Sequence, residues 1–247
     1  IIAQSRESFD REMMNLQYLT SRSIDGLIIS VSTETNDFTY LKELNQKGLP
    51  IVFFDRIVDE IDTHKVIVDN YKGAYDATVH LIGCGYRRIA AIGNTELLSI
   101  TRERFAGYRA ALTDNGIEIN ESLIRYCYHG GMITSEVETA VNDLMKLPEP
   151  PDAIFAAADK LTTGCLRMLK ARKIQVPADM GLIGFSNTDL TELLDPPLSI
   201  IKQPAFEMGE IATNLLLQSI ESKRPVTDFE TKMLTTELLI RGSTKKI

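Results

Sequence analysis

Short apolar runs alternate along the whole chain with stretches whose apolar residues recur every three or four positions. The runs read as strands at 26–31, 50–54, 65–69, 88–93, 123–128, 152–157, 180–185, 197–202 and 232–240. Between them the spacing is helical. Phe9, Met13 and Leu16 share one face, as do Phe38, Leu41 and Leu44, and then Ala74, Ala77, Thr78 and Leu81. Phe105, Tyr108 and Leu112 follow, then Val137, Ala140, Val141 and Leu144. Leu161, Gly164, Cys165 and Met168 repeat the pattern, and Met208, Ala212, Leu215 and Leu216 close it. These positions read as core. Strands alternating with helices predict an α/β fold with parallel sheets covered on both faces. Asp69-Asn70 marks a helix start, and Gly83 and Gly85 its left-handed end. Pro148, Pro150 and Pro151 stiffen a helix-to-strand connection.

Composition narrows the function. A length of 247 residues suits one large domain or two small ones. The net charge of −7 makes the chain a poor partner for phosphate backbones, so it should not bind DNA by itself. No apolar run approaches the ~20 residues of a membrane span, and no signal peptide opens the chain. Cys84, Cys127 and Cys165 are odd in number and far apart, which argues against a disulfide framework and for a reducing, cytoplasmic setting. With no CxxC pair and only His64, His80 and His129, neither metal nor cofactor is expected. Walker, GxGxxG, G-x-S-x-G and HExxH motifs are absent, so no enzyme is expected.

Open α/β sheets bind ligands beyond the carboxyl ends of their strands. Asp55 and Arg56 directly follow the apolar run 51–54. A carboxylate beside a guanidinium suits neighbouring hydroxyls, one accepting and the other donating. Arg102 and Arg104 open a helix where cations oppose the dipole, so a reason other than helix stability is needed for them.

Several stretches have a family wording. VDN at 68–70, GYRRIA at 85–90, IDGLII at 24–29 and the segment 48–56 ending in Asp55-Arg56 are in its order. So are RERFAGYR at 102–109, PDAIFA at 151–156, Ile183-Gly184-Phe185 and PPLSIIKQP at 196–204. Together the chain resembles the LacI/GalR family of transcription regulators in its effector-binding part. The resemblance implies two Rossmann-like, doubly wound lobes of the type I periplasmic binding protein fold, joined by three crossover segments. The lobes would be 1–68 with 203–231, and 69–202 with 232–247, crossing near Asp69, Lys202 and Thr231. It implies a carbohydrate-like effector between the lobes, a homodimer, and operator DNA bound only through a headpiece absent from this chain. On the same pattern Ile1-Ile2-Ala3 resembles the end of the second strand, the family's first strand and helix being absent. The ligand positions carried over are Asp55, Arg56, Arg104, Ser186 and Gln203. Ser186 stands where the family usually has Asp, and Asp159 is expected to cap its helix. One negative and two positive charges among these five suggest a sugar acid or sugar phosphate. The alternative is a periplasmic sugar-binding protein of a transporter, with the same fold but no DNA task.

Overall fold

The apolar runs assemble into two sheets, each with its own helices. The computed structural model describes residues 1–222 and 226–245; positions 223–225 and 246–247, which the expected lobes include, lie outside the described residues. Contacts divide the chain into Ile1–Val68 with Pro204–Leu234, and Asp69–Gln203 with Thr235–Ile247. Gln203 therefore goes with the second unit and positions 232–234 with the first.

In the first unit, β1 (Leu27–Ile29), β2 (Ile51–Phe54), β3 (His64–Val68) and β9 (Thr231–Leu234) pair in that order, all parallel. The helices α1 (Phe9–Ser21) and α2 (Thr39–Gln46) present Leu16, Leu19, Leu41 and Leu44 to Leu27, Ile29, Ile51 and Phe53. On the other face α7 (Ala205–Glu221) packs Met208, Ala212 and Leu215 on Val52, Val66 and Val68. Alternate residues of β2 thus point to opposite layers, as strand geometry requires.

The second unit contains α3 (Asn70–Gly83), β4 (Ile89–Gly93), α4 (Ser99–Asp114), β5 (Ile124–Tyr126) and α5 (Thr134–Met145). It continues with β6 (Ala153–Ala156), α6 (Asp159–Ala171), β7 (Gly181–Phe185), β8 (Ser199–Lys202) and β10 (Glu237–Leu239). The sheet order is β10-β8-β7-β6-β4-β5, parallel except for β10. One layer packs Ala74, Ala77 and Leu81 of α3 and Phe105 and Tyr108 of α4 against Phe155 and Phe185. The other packs α5 and α6 on Ile92, Ile154 and Leu182. Central strands here are buried at every position, which accounts for their unbroken apolar runs. The start of α3 is fixed by Asp69, whose carboxylate accepts from Lys72 N at 2.8 Å. Beyond its end Gly85 takes φ 92°, a conformation cheap only for glycine.

Two expectations are corrected. The single strand at 232–240 is two: β9 pairs parallel with β3 and β10 antiparallel with β8. The break falls at Leu234/Thr235, where the chain passes from one unit to the other. Ile1, Ile2 and Ala3 form no strand; Ile1 and Ile2 are exposed, and β1 is an edge strand of its sheet. Among the described residues no helix is long and apolar enough to cross a membrane.

Candidate functional site

In the first unit, Asp55 and Arg56 lie just past the carboxyl end of β2, as strand position predicts. Asp55 has φ 58°, and its backbone N–H donates to Val66 O at 2.9 Å. This left-handed turn swings the chain off the sheet. Arg56 is held by a residue that sequence reasoning missed. Its Nη1 donates to Glu7 Oε2 at 2.6 Å and its Nη2 to Glu7 Oε1 at 3.0 Å, a two-pronged ion pair. Nη1 also reaches Val31 O at 3.2 Å and Thr33 Oγ1 at 3.3 Å. Only Nε is buried without a partner. Glu7 in turn accepts from Thr33 N at 2.9 Å and Thr33 Oγ1 at 2.7 Å. Burial pushes the Glu7 carboxyl upward, but Arg56 and Thr33 outweigh it and hold it below the usual value. Burial likewise opposes the Arg56 charge, and Glu7 more than restores it.

Glu12 of α1 lies beside this pair. Its carboxylate accepts from Ser32 N at 2.6 Å and Thr35 Oγ1 at 2.8 Å, so α1 anchors the loop after β1. Burial dominates here and raises its pKa.

In the second unit, Arg104 of α4 is only 3% exposed. Its Nε donates to Asn70 Oδ1 at 2.8 Å and its Nη1 to Ala157 O at 2.7 Å. The guanidinium lies 3.7 Å above the Phe185 ring, a cation–π contact. Asn70 Nδ2 donates to Glu103 Oε2 at 2.9 Å, so one amide links the guanidinium to a carboxylate. Ser186 directly follows Phe185, and its hydroxyl donates to Asp159. This corrects the expected role of Asp159: α6 begins after Ala158 with no side-chain cap, and the carboxylate turns to Ser186. Gln203 follows β8; its N–H donates to Asn187 Oδ1 at 2.9 Å and its carbonyl accepts from Asn187 Nδ2 at 3.1 Å. Arg102 points elsewhere, to the carbonyls of Glu96 and Leu97 at 2.9 Å each.

The structure thus brings Arg104, Phe185 and Ser186 together at the carboxyl ends of β6 and β7, and Asp55 and Arg56 together in the first unit. It adds Glu7, Glu103 and Asp159, three carboxylates bonded to or one amide away from the predicted residues. The charge count over the five predicted residues therefore leaves out these three carboxylates. Arg56 stands with Asp55 and Glu7 in the first unit, and Arg104 with Glu103 and Asp159 in the second. Among the described residues no group of three His, Cys, Asp or Glu could hold a metal ion. The thiols are poor nucleophiles: burial pushes Cys127 up to about 12, and Cys84 and Cys165 upward as well.

Comparison with known proteins decides the family. Residues 78–244 match the family described as periplasmic binding protein-like domain. The HTH-type transcriptional repressor CytR of Escherichia coli strain K12 is 30% identical over 247 residues, all of this chain and 70% of that protein. The chain belongs to the LacI family of transcription regulators. A solved complex of the regulator CelR with cellobiose is 31% identical, with a TM-score of 0.81 over 96% of this chain and 71% of that one. A LacI-family regulator from Enterococcus faecium with bound ribose is 26% identical, with a TM-score of 0.81 over 96% of this chain and 85% of that one. The type I periplasmic binding protein fold and its parallel sheets are shared with these structures.

Proposed function

We propose that this chain is the ligand-sensing and dimerisation part of a LacI-type repressor, and that it binds a sugar-like effector through Asp55, Arg56, Arg104, Ser186 and Gln203. The reading puts the protein in the cytoplasm as a homodimer. It assigns operator contact to a headpiece outside these residues, and it assigns the chain no catalytic step. The observation that carries it is Arg104. A guanidinium taken out of water costs several kcal/mol unless it is well bonded, and this one lies where open α/β sheets bind ligands. It sits at the carboxyl ends of β6 and β7, over the Phe185 ring and bonded to Asn70 and Ala157. CelR and the Enterococcus faecium regulator, both similar over nearly the whole chain, carry cellobiose and ribose in their solved complexes.

The resemblance supplies the mechanism. On that pattern an effector favours one conformation of the protein, and a dimer carries that preference to paired DNA-binding headpieces. A coupling of ~1–3 kcal/mol changes operator affinity by about 5- to 150-fold. The test is calorimetric titration of the purified protein with neutral and anionic sugars. Arg104→Ala is expected to weaken the best-bound sugar by about tenfold or more, the loss of a charge-assisted bond. Unchanged affinity in a folded Arg104→Ala protein would remove Arg104 from the site.

A further inference from the structure

We propose that Glu7 sets the charge preference of the effector site, and that the effector is an uncharged, polyhydroxylated molecule. This rests on the reading that Arg56 belongs to that site; the charge of the guest is the addition. A guanidinium fork is suited to a carboxylate or phosphate. Here the protein's own carboxylate fills it, through both Nη atoms. Glu7 is not a swinging counter-ion, because Thr33 holds it by backbone N–H and hydroxyl together. The chain also adopts an uncommon backbone to place it: Arg6 and Glu7 have φ 53° and 65°, successive left-handed residues of a kind that persists when the surroundings enforce it.

An anion arriving beside Arg56 would meet a cation already matched, with the Asp55 carboxylate next in the chain. In the second unit the Arg104 guanidinium is joined through Asn70 to Glu103, and Ser186 faces Asp159. Hydroxyl groups meet no such penalty, since each can donate a proton to a carboxylate oxygen and accept one from a guanidinium. Glu7→Gln keeps the shape of the side chain and removes its charge, leaving the guanidinium to an incoming anion.

The experiment is isothermal titration of the purified protein with D-ribose, D-glucose and cellobiose, and with D-ribose phosphate, D-glucose phosphate and D-gluconate. Wild type, Glu7→Gln and Glu7→Asp are compared. The wild type is expected to bind a neutral probe at least about tenfold more tightly than any anionic one. Glu7→Gln should shift that ratio about tenfold toward the anions, and Glu7→Asp should keep the wild-type preference. A wild type that prefers an anionic probe overturns the inference and leaves the sugar-effector reading standing. So does a folded Glu7→Gln protein with an unchanged ratio. Where Glu7→Gln fails to fold, the wild-type ratio and Glu7→Asp decide. Binding of none of the six probes removes the sugar-effector reading itself, and this inference with it.

Discussion

The Glu7–Arg56 pair bears on stability at the scale of single residues. Both side chains are mostly out of water, with 25% and 17% of their surface exposed. Glu7→Ala removes the two-pronged carboxylate partner of a mostly buried guanidinium, so a loss of about 1–3 kcal/mol is expected in urea unfolding. Pairing it with Arg56→Met should recover part of that loss, because the guanidinium that lost its carboxylate is then gone. His80 gives a second test. It is buried, with Nε2 2.9 Å from Thr244 Oγ1 and 3.5 Å from Cys84 Sγ, and burial holds its pKa below the ordinary 6.5. The unfolded chain therefore takes up the proton more readily than the folded one. The stability tied to His80 is full above the unfolded value and falls as pH drops through the lower, folded one. Melting temperatures of wild type are expected to decline over that acid window, and His80→Gln should decline less. Arg56 was legible because it ends an apolar strand. Glu7 was not, because 49 residues and an irregular turn separate it from its partner. The Asp69-Asn70 pair was legible as a helix start, but only the structure divides the work: Asp69 caps α3 while Asn70 turns to Arg104.

Pairs of elements set how firmly those residues are held. The helices α3 and α4 approach closely at Gly107. A Cβ there would run into the carbonyl oxygen of Tyr71 and come within 3.0 Å of Tyr75 N. Both are backbone atoms, which cannot rotate away. Gly107→Ala is expected to cost about 1–3 kcal/mol in urea unfolding, the usual penalty for overpacking. It should also weaken effector binding, since Arg104 lies one turn earlier on α4 and its bond to Asn70 spans the same two helices. Unchanged affinity with lowered stability would separate the packing of α4 from the placing of Arg104. In sequence Gly107 belongs to the RERFAGYR wording, but nothing there announces the close approach to α3. The helices themselves were readable, because burial on one face imposes the spacing: Ala74, Ala77 and Leu81 are all 0% exposed. The last strand was misread for a related reason. Both β9 and β10 carry strand residues, and nothing in the short break at 235–236 says that the two halves join different sheets.

At the scale of the molecule, each unit has two apolar layers of its own, one on either face of its sheet. Each can therefore melt as a cooperative body, and differential scanning calorimetry of the unliganded protein is expected to resolve two transitions. A ligand that binds only folded protein stabilises whatever it touches, by ~2.7 kcal/mol at a hundred times its Kd. On the proposed reading, in which Asp55 and Arg56 of the first unit and Arg104, Ser186 and Gln203 of the second are ligand residues, saturating sugar is expected to raise both transitions. At the same sugar concentration Arg104→Ala should cut the shift in both to about half or less, since a sugar bound about tenfold more weakly protects each unit less. If saturating sugar moves only the transition of the second unit, Asp55 and Arg56 do not contact it, and the Glu7–Arg56 pair is a structural brace for the loop after β1. If it moves only the first, the cation–π pair of Arg104 and Phe185 is packing rather than recognition. Assigning the transitions needs one more variant: Gly107→Ala, which lies wholly within the second unit, should lower that unit's transition and leave the other in place.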